Sequence, residues 1–216
     1  MRQIKNRKSF KVVTPQSAAQ QLITTANMKT FLRVDSSADD TLIDDFVKTA
    51  TQTISEFLRR SITLQTIDFT IDRISDRPTL EDTISEGVYD LPMSFLAGNQ
   101  NYIELPFPPI VSITSITTYD ISDNASVFDT SNYRLDPDGR VYLNYGCIWP
   151  VNLRSFASTV IRFVAGYGWT NVPLPVINGV RDYAATMYDC RRFCDLPTSI
   201  ADSLSPYRIL DESAFM

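Results

Sequence analysis

The feature that most constrains this chain is a change of hydrophobic period at Ser61. Ahead of it, Leu42, Ile43, Phe46, Val47, Ala50, Ile54, Phe57 and Leu58 recur at intervals of three and four, which places them on one face of a helix opened by Ser36 or Ser37. Beyond it, Ile62, Leu64, Thr66 and the run Phe69-Thr70-Ile71 mix β-branched and aromatic residues as a strand does. Helices and strands are therefore segregated along the chain, and the fold class expected is α+β.

The rest of the pattern extends that order. Thr24 or Thr25 caps a short helix through Leu32, with Met28, Phe31 and Leu32 at helical spacing. Residues 73–101 are polar and acidic and read as a long loop. A short strand at 102–105 is broken by Pro106, Pro108 and Pro109, and 110–119 alternates as a second strand. Residues 132–135 and 140–143 flank Asp136-Pro137-Asp138-Gly139, where proline sets φ and glycine takes positive φ, so a hairpin is predicted. A further strand spans 159–165 and closes at Gly166-Tyr167-Gly168-Trp169. From about Val176 to Phe193 the residues Val176, Ile177, Val180, Tyr183, Ala184, Met187 and Tyr188 form the apolar face of a helix, followed by a tail with one helical turn and an extended arm.

Composition narrows the chemistry. With 216 residues and 44% hydrophobic content the chain can bury a core without covalent staples. The cysteines Cys147, Cys190 and Cys194 are too few for a disulfide framework; Cys190 and Cys194, four apart, are expected as buried thiols on one helix face. There is no histidine, which removes Ser-His-Asp and Cys-His nucleophiles, histidine-ligated metals and the usual base near neutral pH. No apolar stretch reaches the roughly 18 residues of a membrane span, and the start lacks an apolar core of a signal peptide, so a soluble, unexported protein is expected.

Arg2, Lys5, Arg7, Lys8 and Lys11 crowd the first 11 residues, leaving 15 basic against 25 acidic residues in the remainder. Such a body does not bind DNA through its general surface, because phosphate binding needs clustered lysine and arginine. The basic arm reads either as a solvated terminus or as a docking segment. Asp39, Asp40, Asp44 and Asp45 in the first turns of the second helix, with Arg59 and Arg60 at its end, match the helix dipole.

Two chemical alternatives are weak. A carboxylate-pair hydrolase can draw on Asp136 with Asp138, or on Glu81, Asp82 and Glu86, but the first pair is better explained as turn formers. A calcium loop starting at Asp136 needs glutamate at its twelfth position, where Cys147 stands. The expectation is a non-enzymatic protein with no cofactor and no metal.

Several segments taken in order resemble the tailed-phage head-to-tail connector, or adaptor, family: MKTFLRVD at 28–35, DDTLIDDFVKTATQTISEFLRR at 39–60, ITLQT at 62–66, IELPFPPIVSITSITTYD at 103–120, NYRLDPDGRVYL at 132–143, IRFVAGYG at 161–168, VPLPVINGVRDYAATMY at 172–188 and SLSPYRI at 203–209. The resemblance is to the larger form of that family. It implies a helical bundle core of two N-terminal helices and a long C-terminal helix with an inserted antiparallel β-rich segment. The corresponding divisions are a basic arm at 1–22, helical core at 23–60, β-rich insert at 61–168, C-terminal helix at 169–194 and docking tail at 195–216.

In function the resemblance implies a structural virion protein of the neck, assembled in the host cytoplasm as a homo-oligomeric ring, commonly of twelve copies. Such a ring joins the portal protein to the next tail protein and lets genomic DNA pass. A channel wall should repel phosphate, and Asp39, Asp40, Asp44 and Asp45 are candidates for lining it. Tyr207, Arg208, Ile209, Leu210 and Phe215 are candidates for contact with the portal or a neighbouring subunit, because they place apolar and aromatic groups on a short tail. A different structural virion protein, for tail completion or host recognition, is the alternative reading.

Overall fold

The computed structural model describes residues 8–14, 21–72, 102–136, 138–168 and 171–209. Among these it contains four helices and eight strands, an α+β protein as expected. The chain divides into two units: a helical one drawing on Thr14–Thr66, Pro106–Val111 and Ala165–Met216, and a β one drawing on Met1–Val13, Ile67–Leu105 and Ser112–Val164.

In the helical unit, α1 (Thr25–Leu32) is capped by Thr24, whose hydroxyl accepts from the Asn27 amide at 3.3 Å. Its end is set by Arg33, which takes a left-handed conformation at φ 57°. Helix α2 (Asp40–Leu58) begins later than its serines predict: Ser36 Oγ accepts from the Ala38 amide, spending that cap on a local turn. It stops at left-handed Arg59, so Arg59 and Arg60 lie beyond the last helical turn and the dipole is matched only by Asp40 at the start.

Helix α3 (Leu174–Cys190) begins two residues earlier than its apolar pattern suggests, because Pro175 occupies the first turn, where a missing amide hydrogen costs nothing. It ends at left-handed Arg191. This corrects the cysteine expectation: Cys190 is exposed at the last helical position, while Cys194 lies outside the helix and is half-buried, so they are not a buried pair on one face. Helix α4 (Thr198–Leu204) leads into a 3-10 turn at Ser205–Tyr207.

One core holds this unit together. Ile43, Phe46, Val47, Ala50, Ile54 and Leu58 of α2 meet Val176, Val180, Tyr183, Ala184 and Met187 of α3, with Met28, Ile200 and Leu204 closing the sides. Each large side chain buried here contributes about 1.5–3 kcal/mol. Gly179 lets α4 approach: a Cβ built on it would lie 2.9 Å from Leu204 Cδ1. Phe31, expected on the buried face of α1, is 47% exposed and carries the Arg181 guanidinium over its ring instead.

In the β unit, a five-stranded sheet has the order β1-β2-β8-β4-β5, formed by β1 (Lys8–Thr14), β2 (Gln65–Ile71), β8 (Thr159–Ala165), β4 (Ile110–Tyr119) and β5 (Ala125–Phe128). A three-stranded sheet has the order β3-β7-β6, with β3 (Tyr102–Glu104), β7 (Arg140–Leu143) and β6 (Tyr133–Leu135). Alternation is clear in β8, where Thr159, Ile161, Phe163 and Ala165 are buried and Arg162 between them is exposed. Arg162 forms a two-pronged pair with Asp68 of β2 at 2.7 and 2.8 Å. The predicted hairpin is present: Arg134 faces Tyr142 in the antiparallel β6–β7 pair, and Gly139 takes φ +84° in the turn. Strands β1 and β5 are additions that the sequence pattern did not announce. The predicted loop at 73–101 lies outside the described residues.

Candidate interaction surfaces

The four acids proposed for a channel wall are not equivalent. Asp39, just ahead of α2, accepts from the Tyr188 hydroxyl at 2.8 Å and from both terminal nitrogens of Arg191 at 3.0 and 3.2 Å. The Arg191 and Tyr188 hydrogen bonds hold its carboxyl below the usual aspartate range. Asp40 pairs with Lys29 of α1 at 2.7 Å. Asp44 pairs with Lys48 one turn along at 2.6 Å and accepts from Gln21; the lysine contact is the main cause of its lowered pKa. Asp45 is exposed. Three of the four thus carry a fixed counter-charge, and Asp45 projects into solvent.

The tail is anchored at its start. Arg60 Nε donates to the Tyr207 carbonyl at 2.7 Å, and the Ile209 amide donates to the Leu58 carbonyl at 3.1 Å. Both bonds use groups around the C-terminus of α2, whose last carbonyls have no partner within the helix. Tyr207 packs against the helical core, and the Arg208 guanidinium sits 5.0 Å from the centre of the Phe57 ring. Residues 207–209 are therefore set by the unit's own helices. Leu210 and Phe215 lie outside the described residues.

In the β unit, Tyr102, Arg140, Tyr142 and Arg134 share the outer face of the three-stranded sheet by register. The tyrosine rings stand 5.4 Å apart, Arg140 lies 5.3 Å from the Tyr102 ring and Arg134 lies 5.9 Å from that of Tyr142. A shallow depression of about 500 Å³ is lined by Arg134, Leu135, Asp136 and Tyr142. Sequence reasoning passed over this cluster; the signal was the alternation of Arg134 with Leu135 and of Arg140, Val141 and Tyr142 on either side of the turn.

Asp136 is part of that turn: its amide donates to the Arg140 carbonyl and its carbonyl accepts from the Gly139 amide. Among the described residues, no group of three or more cysteines, aspartates or glutamates is arranged to hold a metal. Among them, too, no helix is long and apolar enough to cross a membrane.

The described residues thus define an α+β protein with a helical unit and a β unit of two sheets. Residues 22–94 match the model of the phage gp6-like head-tail connector protein family, about a third of the chain.

The fold is similar over nearly the whole chain to proteins in three solved assemblies. One is the neck of an empty gene transfer agent particle computed with C6 symmetry, with TM-score 0.69, 16% identity, and 94% of this chain and 96% of that one covered. The second is the neck of the native particle computed with C12 symmetry, with TM-score 0.67 and the same identity and coverage. The third is the virion of the native gene transfer agent particle, with TM-score 0.65, again at 16% identity and with the same coverage. No curated protein sequence matches the chain.

Proposed function

We propose that this chain forms the head-to-tail adaptor ring of a phage-like virion neck, seated between the portal and the next tail component, with DNA passing through its centre. The observation that carries the reading is the agreement of two independent likenesses. The connector match falls on α1, α2 and β2, and the fold likeness to neck proteins of symmetric particles spans 94% of the chain.

Twelve copies is the number favoured by this reading, in keeping with a relative whose neck was computed with C12 symmetry. Identical copies closing a ring need a heterologous contact, one patch of each copy meeting a different patch of the next. The acidic surplus of the chain beyond its first residues suits a channel that must not hold DNA. Asp45, exposed near the start of α2, is the acid best placed to act on a passing phosphate; Asp39, Asp40 and Asp44 act there only as neutralised pairs. At the tail, Tyr207, Arg208 and Ile209, held by the end of α2, are proposed together with Leu210 and Phe215 as the contact for portal or neighbour.

The test is the mass of the purified protein alone and after mixing with its portal, by light scattering on a sizing column. A ring-sized complex with portal is expected, and removal of residues 210–216 should weaken it while leaving residues 207–209 in place. A chain that stays monomeric with and without portal would remove the adaptor reading.

A further inference from the structure

The two ends of the five-stranded sheet differ in charge. At one end, β1 is an edge strand whose residues Lys8–Val13 are all exposed. Its only charged side chains are Lys8 and Lys11, and Phe10, Val12 and Val13 stand among them at 56%, 39% and 41% exposure. At the other end, β5 pairs with β4 only from Ile116 to Tyr119, and its Val127 is 70% exposed. That end is flanked by acids: Asp120 and Asp123 in the turn before β5, and Asp129 directly after it.

Asp120 and Asp129 remain ionised. Asp120 accepts from the side chain and amide of Asn124 and from the Ser122 amide, and Asp129 accepts from the Ser131 amide; these bonds hold both carboxyls below the usual range. None of these contacts supplies a positive charge. Arg154 compensates Asp123, at 3.0 Å.

An exposed edge strand presents unpaired backbone donors and acceptors and is a template for another strand unless it is blunted. Proline is absent from both edges; Lys8 and Lys11 disfavour a chance neighbour at β1, and although Lys11 also acts on Asp68 of β2, the two lysines are complementary to the carboxylates of the other edge. We infer that the occupant is a second copy of this chain: β1 of one subunit adds to the β4–β5 edge of the next. Lys8 and Lys11 then lie near Asp120 and Asp129, with Phe10, Val12 and Val127 covered in between. This inference rests on the adaptor-ring reading and gives its heterologous contact two named patches, since the edges of one sheet are different surfaces and their pairing propagates around a ring.

The experiment is disulfide trapping in the full chain assembled on its portal, in a background with Cys147, Cys190 and Cys194 replaced by serine. The variants are V12C/V127C and V13C/V127C, one for each way the two strands can share a face. Within one subunit the two positions are separated by four strand spacings, about 19 Å, too far for a disulfide. Only a contact between copies can therefore link them.

Oxidation should give a ladder of covalent multimers rising toward the full ring for one pair, with single-cysteine controls stopping at dimers. As a second readout, K8E/K11E should reduce ring assembly at low salt by tenfold or more. Rings that form normally, give no ladder with either pair and tolerate K8E/K11E would overturn the edge pairing while leaving the adaptor reading intact. Failure of the wild-type chain to form any ring would overturn both.

Discussion

Tyr188 donates its hydroxyl hydrogen to Asp39 Oδ2 at 2.8 Å, so a residue of the last turn of α3 holds the residue that opens α2, 149 positions away. Arg191, one residue beyond α3, donates to both oxygens of the same carboxylate, sharing Oδ2 with Tyr188. Because the folded-state pKa of Asp39 lies below its unfolded value, its contribution to stability is fully present above the ordinary aspartate range and is lost as pH falls through the folded value. Asp39→Asn should therefore lower the melting temperature slightly at pH 7. The difference from wild type should be constant near neutral pH and shrink progressively as pH falls past the ordinary aspartate value toward the lower folded one, as measured by melting curves between pH 7 and 3. A gap that stays constant over that interval would show that charge is not the cause.

Gly166 carries the second prediction. It takes φ +126°, a conformation nearly closed to other residues, and a Cβ built on it would lie 2.2 Å from the Thr63 carbonyl oxygen and 2.8 Å from the Leu64 nitrogen. Both neighbours are backbone and cannot swing aside. Its amide also donates to the Pro109 carbonyl at 2.8 Å. Gly166→Ala should cost about 3 kcal/mol or more. For a chain of this size that is a fall of roughly 6–12 °C in melting temperature. Gly146, with positive φ but nothing within 4 Å of its added Cβ, serves as the comparison and should lose much less.

These two sites mark the limit of what could be read from the chain. Strands β4 and β8 were legible because alternation and flanking proline or glycine are local signals, and so was the hairpin around Gly139. Strand β5 was not, since Ala125, Ser126 and Val127 are all exposed and leave no buried face to detect; the strand exists through its pairing with β4. Strand β1 was missed for the same reason at the other edge. The left-handed residues that end α1, α2 and α3 are all arginines, Arg33, Arg59 and Arg191, where glycine would have announced the stop. The acids of α2 were visible as a cluster, but their neutralisation by Lys29 and Arg191 depends on tertiary contacts that spacing alone does not reveal.

A third prediction concerns Tyr133. Its ring stacks on Phe128 at 6.1 Å, and Phe128 in turn lies 5.4 Å from Trp149. Among the described residues its buried hydroxyl finds no hydrogen-bond partner, and burial pushes its pKa up. A desolvated hydroxyl without a partner is a net cost. Tyr133→Phe keeps the stack and removes that cost, so it should be neutral or stabilising by up to about 1 kcal/mol. Urea unfolding should show a midpoint equal to or above that of wild type with an unchanged slope. A clear loss of stability would mean that the hydroxyl has a partner after all.

The last prediction separates the base of the tail from its end. Arg60 Nε holds the Tyr207 carbonyl, and the same arginine's own carbonyl accepts from the Ser55 hydroxyl, so its backbone and side chain are both engaged where α2 terminates. Arg60→Met preserves most of the aliphatic stem and removes the donor, at an expected cost of about 1 kcal/mol. Arg208→Met removes only a cation resting over the Phe57 ring and should cost about half as much. If the tail is held mainly by its backbone, Arg60→Met should also speed cleavage of residues 205–209 by a protease in limited digestion, and Arg208→Met should not. Equal sensitivity in both variants would shift the anchoring from the Arg60–Tyr207 bond to the ring contact and to the packing of Tyr207 itself.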